Sequence, residues 1–265
     1  MNLKVPLEFV GSVAALTPDR FEPGTFVLSI DGAEQSHVNP QDPLSIRYEY
    51  LQRIDAAIQA HCVEATPDKV LHLGAGALTL VRALQVRYPG SQHTVVDIEP
   101  SLVAELCRVL PLPAPDRCTS FGMDAAEAVS RIRTEGLPDA PYTYDVIVVD
   151  IFHGADTAPQ LQEQSFYEDL AAILSLSGIL LINIGDEQDQ KFARRLVGTI
   201  SQIFPQTCVA AHPDVLAGRS SGNTIVAAFT EEPPAGFLEA WRLAGPFPAQ
   251  LLDDLNNYVS GRSAK

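Results

Sequence analysis

Basic residues and cysteines are both scarce in this chain of 265 residues. Lys and Arg number 18 against 33 Asp and Glu, which gives a formal net charge of −15. Because so acidic a chain repels phosphate backbones, we expect no nucleic acid partner. The four cysteines are far apart and form no Cys-x-x-Cys pair: Cys62, Cys107, Cys118 and Cys208. This spacing supports neither a zinc site nor a dithiol redox site, and we expect a reduced, cytoplasmic protein that holds no metal.

Long apolar runs are also missing from the sequence. The apolar stretch at 170–185 has no charged residue, but it contains a Ser-Gly turn signal and is too short to span a membrane. No sustained apolar segment precedes Pro18, which argues against a signal peptide. We therefore expect no membrane partner. The hydrophobic fraction of 46% is nevertheless sufficient for a sizeable core.

From residue 70 onward, short apolar runs alternate with segments long enough for helices. The runs that suit buried strands cover 70–73, 94–96, 144–149, 179–184 and 223–229. The helices predicted from the connecting segments cover 78–87, 101–110, 125–133, 165–174 and 190–204. This repeated alternation predicts an α/β protein with a doubly wound, mostly parallel sheet. Segments 208–211 and 224–229 have no clear helix between them, which predicts an antiparallel pair at the end of the sheet.

The first 62 residues have a different pattern. Asp31-Gly32 separates two extended segments, 25–30 and 35–38, and predicts a β-hairpin. A helix is predicted after Pro43, with an apolar face at helical spacing. We therefore divide the chain into a small N-terminal β-rich region with one helix, residues 1–62, and a large α/β domain, residues 63–265. A final helix is predicted near 249–258.

The turn after the strand at 70–73 is the first candidate binding element. Gly74 and Gly76 allow a ligand to approach the backbone closely, and the following helix N-terminus offers free N–H groups. The third glycine of a G-x-G-x-x-G motif is absent because Thr79 occupies its position, so the turn could also be purely structural. Asp97 ends the next strand, where a carboxylate commonly accepts the ribose hydroxyls of a nucleoside. A helix cap is its structural alternative.

Two further carboxylates follow predicted strands. Asp124 comes after Gly122 and could face an adenine amino group or cap the helix at 125–133. Asp150 ends the buried strand at 144–149, at the edge where doubly wound sheets bind their ligands. A carboxylate there can take a proton from an attacking amine, with a helix cap or loop carboxylate as the alternative. His153 and Asp156 follow in the same loop and are candidate helpers.

This order of motifs resembles the spermidine synthases, the polyamine aminopropyltransferases, which have the class I S-adenosylmethionine methyltransferase fold. It is most similar to the spermidine-synthase-like proteins of high-GC Gram-positive bacteria. The resemblance covers nearly the whole chain and rests on the hairpin Asp31-Gly32-x-x-Gln35, the Gly-x-Gly turn, Asp97, Asp124 and the loop from Asp150. It implies a seven-stranded Rossmann-like sheet, decarboxylated S-adenosylmethionine as the donor of an aminopropyl group, and a homodimer. The acceptor that it implies is putrescine or another amine.

The resemblance also implies a role for individual residues. The positions that match cofactor-binding residues are Gln35, Gly74, Gly76, Asp97 and Asp124. Asp150 matches the first aspartate of the catalytic loop, and Tyr48, His153 and Asp156 are assigned to the amine substrate.

Three positions depart from the family pattern. Ala77 stands where an aspartate would hold the donor's ammonium group, His153 stands for the second aspartate of the catalytic loop, and Arg47 stands for a helix tyrosine. A buried diamine needs a carboxylate at both ends, so these changes leave the identity of the acceptor open. A methyltransferase that uses intact S-adenosylmethionine and a nucleoside-binding or assembly protein without turnover are the alternative functions.

Overall fold

The computed structural model describes residues 2–63, 65–153 and 157–261, apart from the side chains of Phe152 and His153. The N-terminal strands form a small antiparallel sheet in the order β1 (Leu3–Pro6), β2 (Val13–Pro18), β3 (Phe26–Ile30) and β4 (Ala33–Val38). The predicted hairpin is confirmed between β3 and β4. Asp31 and Gly32 both have positive φ angles, 48° and 86°, as a two-residue turn between right-twisted strands requires. Strands β1 and β2 extend this hairpin into a four-stranded sheet.

The large sheet contains eight strands. They are β5 (Lys69–Leu73), β6 (Gln92–Asp97), β7 (Cys118–Gly122), β8 (Tyr144–His153), β9 (Leu174–Asp186), β10 (Gln206–Ala211), β11 (Gly222–Phe229) and β12 (Gln250–Leu252). Their spatial order is β12-β10-β11-β9-β8-β5-β6-β7, and the five strands from β9 to β7 are parallel. Strand β11 is antiparallel to both β9 and β10. The predicted α/β class, the mostly parallel sheet and the antiparallel closing pair are therefore confirmed.

The expected strand number of seven was one too low. Residues 250–252, which lie in the predicted C-terminal helix, instead pair with β10 as the edge strand β12. The apolar side chains there satisfied a helical pattern equally well, and the free edge of β10 supplied the backbone partners that made the strand. The C-terminal helix is correspondingly reduced to a single turn.

The described residues form nine α-helices, of which the seventh and eighth were not predicted from the sequence. They are α1 (Glu49–His61), α2 (Thr79–Arg87), α3 (Pro100–Val109), α4 (Ala125–Thr134), α5 (Gln164–Ile173), α6 (Lys191–Ile203), α7 (Pro213–Leu216), α8 (Phe237–Ala244) and α9 (Asn256–Val259). Helices α2 to α6 agree with the prediction within one residue at each end, whereas α1 begins several residues after Pro43. Across the part of the chain that the structure describes, no helix is both long and apolar enough to cross a membrane.

Helices cover both faces of the large sheet. In β8, Val146 and Val148 belong to the core under α1, α2 and α8, whereas Ile147 and Val149 belong to the core under α4, α5 and α6. This alternation follows from the two-residue period of a strand. A third core cluster packs the small sheet against α3. The domain boundary after residue 62 stays a prediction.

The change of direction in strand order lies between β5 and β8. The chain runs from β5 outward through β6 and β7, and then returns to add β8 on the other side of β5. Such a switch point leaves a crevice at the carboxyl edge of the sheet. Gly74 follows β5 with a φ of +94°, and a Cβ atom built on it would lie 2.4 Å from the backbone oxygen of Asp150. A glycine is therefore required where the two strand ends meet.

A chain of neutral histidines lies buried between β5 and β6. His72 Nε2 lies 3.1 Å from His93 Nδ1, and His93 Nε2 lies 2.8 Å from Ser91 Oγ. Because Ser91 Oγ donates to the Tyr88 carbonyl oxygen, it must accept from His93 Nε2–H, and His93 Nδ1 must then accept from His72. Burial lowers the pKa of His93 to about 4 and lowers that of His72 well below its usual value.

We expect acid to destabilise the fold through these histidines. They are neutral in the folded state and bind protons in the unfolded state below pH 6.5, so the stability they contribute is complete above that pH. It is lost progressively as the pH falls toward 4. His93 alone should reduce the free energy of unfolding by about 2 kcal/mol between pH 7 and pH 5. Urea unfolding at several pH values measures this slope. If the dependence of the free energy of unfolding on pH is undiminished in a His93→Gln variant, the acid sensitivity comes from other groups.

We also expect Gly74→Ala to lower the free energy of unfolding by about 2–3 kcal/mol, because the added methyl group meets the Asp150 carbonyl and the φ angle is unfavourable. Gly90→Ala is the matched control. Gly90 has no positive φ, and a Cβ there meets nothing within 4 Å, so its effect should stay within about 0.5 kcal/mol. Urea unfolding of both variants checks the difference. Equal stabilities would mean that β5 and β8 can separate at little cost.

Candidate functional site

A cavity of about 1020 Å³ lies where the carboxyl edge of the large sheet faces the small sheet. Seven of the residues proposed from the sequence line it: Gln35, Tyr48, Gly74, Gly76, Asp97, Asp124 and Asp150. They come from β4, from the start of α1 and from the ends of four parallel strands. The fold thus brings these seven residues into one site, while the role of each residue stays a prediction.

Asp97 fixes the glycine turn. Its Oδ2 atom accepts a hydrogen bond from the Ala75 backbone N–H at 2.8 Å, and its Oδ1 atom accepts one from the Glu99 N–H at 2.9 Å. Burial raises the pKa of Asp97, although these two donors act in the opposite direction. Gly76, with a φ of +49°, lies close to β4, since a Cβ there would be 3.3 Å from Ser36 Oγ. The turn is therefore held from both sides, with its backbone exposed to the cavity.

Asp124 is the N-cap of α4. Its Oδ1 atom accepts hydrogen bonds from the backbone N–H groups of Ala126 and Glu127, at 2.9 and 3.1 Å. The other oxygen accepts one from Gln160 Nε2 at 3.2 Å. The capping alternative is thus confirmed. The side chain also borders the cavity, where it could contact adenine. That contact stays a prediction.

Among the described residues, two side chains from distant parts of the sequence donate hydrogen bonds to Asp150. Asn183 on β9 donates to Oδ1 at 2.7 Å, and the Tyr50 hydroxyl on α1 donates to Oδ2 at 3.2 Å. Asn223 on β11 in turn donates to Asn183 Oδ1 at 2.9 Å. Both carboxylate oxygens therefore have a fixed orientation at the cavity wall.

Two tyrosines at the start of α1 form the wall beside Asp150. The rings of Tyr48 and Tyr50 stack with centroids 6.2 Å apart, and the Tyr48 hydroxyl donates to Glu34 at 3.2 Å. Burial and the adjacent carboxylate of Glu34 raise the pKa of Tyr48 to about 12. Burial and Asp150 raise the pKa of Tyr50 as well. Both hydroxyls therefore keep their protons near neutral pH and act as donors to carboxylates.

Four residues of this wall were not predicted as site residues from the sequence: Glu34, Tyr50, Asn183 and Asn223. Tyr50 lies in the helix whose apolar spacing predicts only a core-facing side, and Glu34 lies in the connection between the two predicted strands of the hairpin. Asn183 alone carried a usable signal, because it is the one polar residue in the apolar run of 179–184. A polar side chain in a buried strand needs a partner, and here that partner is Asp150.

The three residues that depart from the family pattern lie in different places in the structure. Arg47 does not border the cavity, because its guanidinium forms an ion pair with the carboxylate of Asp19. Ala77 is fully buried in the apolar cluster between the small sheet and α3. His153 ends β8, but its side chain lies outside what the structure describes, and Asp156 lies outside the described residues altogether.

The cavity is strongly acidic. Eight acidic residues border it: Glu34, Glu49, Asp97, Glu99, Asp124, Asp150, Asp186 and Glu187. Among the described residues of its lining there is no Lys, Arg or His. Within the described ranges, no group of three or more His, Cys, Asp or Glu side chains could hold a metal ion. The acidic lining favours a positively charged ligand.

Sequence comparison finds relatives for part of the chain. No family model matches it. A polyamine aminopropyltransferase from Neisseria meningitidis is 28% identical over 173 residues, which cover 64% of this chain and 59% of the relative. The match therefore spans about three fifths of the length of that curated relative.

Structural comparison extends the similarity to the whole chain. A probable spermidine synthase from Corynebacterium glutamicum matches with a TM-score of 0.85 and 26% identity, covering 100% of this chain and 96% of that one. A spermidine synthase in complex with the transition-state analogue AdoDATO matches with a TM-score of 0.62 and 15% identity over 89% of this chain and 74% of that one, which is a likeness of fold. Taken together, the sequence relatives and the full-length structural match support the spermidine synthase family for this chain, on a methyltransferase-like fold.

Proposed function

We propose that the protein transfers an aminopropyl group from decarboxylated S-adenosylmethionine to an amine. The observation that carries this proposal is a cavity bordered by eight acidic residues, with no basic residue among the described lining residues. Both reactants carry positive charge, the donor on its sulfonium and amino groups and the acceptor amine in its protonated form. An acidic crevice raises the local concentration of both.

The same charge distribution bears on the form of the donor. Intact S-adenosylmethionine adds a carboxylate, which would need a cationic or N–H partner among eight other negative groups. The decarboxylated form has no such group. This difference supports aminopropyl transfer over methyl transfer, and we infer that one of the other cavity carboxylates replaces the aspartate missing at Ala77.

Asp150 is the group that we assign to the acceptor nitrogen. The acceptor nitrogen attacks as the neutral amine, in equilibrium with its protonated form, because only the neutral form has a lone pair. The donor supplies a carbon bonded to a positively charged sulfur; the C–S bond breaks as the C–N bond forms, and the sulfur leaves as a neutral thioether. Positive charge thereby passes from sulfur to the nitrogen. Asp150, oriented by Asn183 and Tyr50, accepts the N–H hydrogen bond that strengthens as this charge grows, and takes the proton afterwards.

The wall beside Asp150 also suits the far end of a diamine. Arg47 is turned toward Asp19 and places no positive charge in the cavity. Glu34, Glu49 and Glu187 border the same space and offer carboxylates to a second ammonium group. Putrescine and other short diamines are thus the acceptors to test first.

The direct test is an assay with separate donors. The protein is incubated with decarboxylated S-adenosylmethionine and a panel of amines, and the products are identified by mass spectrometry. Methylthioadenosine together with an acceptor heavier by one aminopropyl group is the expected result. S-adenosylhomocysteine formed from the intact donor would establish a methyltransferase instead. If calorimetric titration detects no binding of either donor or of methylthioadenosine, both aminopropyl transfer and methyl transfer are excluded.

Asp150→Asn should separate turnover from donor binding. The amide keeps the shape and removes the charge, so we expect turnover to fall about 100- to 10,000-fold. Affinity for methylthioadenosine should change little, because Asp97 and the glycine turn form that part of the cavity.

Asp145→Asn is the matched control on the same strand. Asp145 accepts from the backbone N–H groups of Asp68 and Lys69 outside the cavity, so its loss should affect stability and leave turnover per folded molecule unchanged. Full activity of the Asp150 variant would remove that residue from the mechanism.

We also infer a homodimer formed through the N-terminal region. Phe9, Val13 and Phe21 are exposed there by 63%, 44% and 88%, and β1 is an edge strand. Light scattering should give twice the monomer mass at micromolar concentration, and a monomer would contradict the inference. The cytoplasmic location expected from the sequence stays a prediction.

A further inference from the structure

Glu99 joins the small sheet to the end of β6. Its carboxylate is buried and accepts three backbone hydrogen bonds, each of 2.8 Å, from Glu8, Phe9 and Val10 in the turn between β1 and β2. Three N–H donors that converge on one carboxylate form a strong, directional attachment. Phe9 and Val10 are exposed by 63% and 57%, so their side chains add little packing to this attachment.

The turn held by Glu99 forms part of the cavity wall. Leu7 and Val10 both border the cavity, as does Leu102 from the helix that follows Glu99. Glu99 also donates its own backbone N–H to Asp97, the carboxylate that fixes the glycine turn. The end of β6 thus fixes two parts of the wall at the same end of the cavity. Asp97 holds the glycine turn, and Glu99 holds the turn that contains Val10.

We propose that Glu99 is a positioning residue for the donor: it holds Leu7 and Val10 against the nucleoside part of the cavity. The proposal rests on the proposed function only in requiring that a nucleoside occupies this end. The small sheet then contributes directly to donor affinity through its first turn. Because Asp150, Tyr50 and Asn183 lie on other elements, Glu99 acts on donor binding and not on the acceptor.

Glu99→Gln tests this assignment. A glutamine keeps the length of the side chain but turns an NH₂ group toward backbone N–H donors, so at least one of the three bonds is lost. We expect Kd for methylthioadenosine and KM for the donor to rise about 10-fold. The acceptor KM and kcat at saturating donor should stay as in the wild type. A merely structural role would lower kcat per total protein and the number of competent binding sites, and would leave the Kd for methylthioadenosine and both KM values unchanged.

Two further variants complete the experiment. Glu8→Gln removes an exposed carboxylate from the same turn without changing the attachment, and should bind as the wild type does. Val10→Ala retains the backbone bonds to Glu99 and trims the wall, and should weaken methylthioadenosine binding about 3-fold. If Glu99→Gln fails to fold, Val10→Ala alone tests the proposal.

The outcomes separate the two proposals. Wild-type affinity in both Glu99→Gln and Val10→Ala would overturn the role of Glu99 while leaving aminopropyl transfer intact. A fall in kcat at saturating donor together with a rise in the acceptor KM would overturn it as well. If the wild-type protein binds neither methylthioadenosine nor either donor, the proposed function itself fails.

Discussion

The close approach of β5 and β8 at the point where the strand order reverses is the constraint on which the site depends. Only a residue without a Cβ fits between the end of β5 and the Asp150 carbonyl, and Gly74 occupies that place. This contact sets the glycine turn on one side of the crevice and the Asp150 carboxylate on the other. The helices that follow these strands lie on opposite faces, so the space above the junction stays open for a ligand.

The concentration of negative charge in the cavity is stabilised mainly by neutral donors. Backbone N–H groups donate hydrogen bonds to Asp97, Glu99 and Asp124, and the side chains of Asn183 and Tyr50 donate to Asp150. Hydrogen bonds of this kind satisfy a carboxylate without cancelling its charge. The site can therefore keep a strong attraction for cations although several of its carboxylates are partly buried. A cavity that neutralised the same groups with arginines would lose that attraction.

Residues of one type acquire different roles through their place on a strand. Asp145 and Asp150 both lie on β8, yet Asp145 at its beginning holds backbone N–H groups and Ser175, while Asp150 near its end faces the cavity. Arg47 illustrates the same principle for a basic residue. Its sequence position suggested a cation in the acceptor site, but Asp19, buried beneath it, turns the side chain away. These distinctions arise from packing and not from residue chemistry.

Local patterns were enough for the α/β class, the bounds of α2 to α6, the β3–β4 hairpin and the carboxylates at strand ends, because hydrophobic period, turn chemistry and chain direction act over a few residues. The partners of Asp150 depended on long-range contacts. Tyr50 and Asn183 reach it across 100 and 33 residues of sequence, and the attachment of Glu99 to the first turn spans about 90. The edge strand β12 likewise formed because β10 offered it free backbone groups. No local pattern encodes such pairings, since they exist only once the chain has packed.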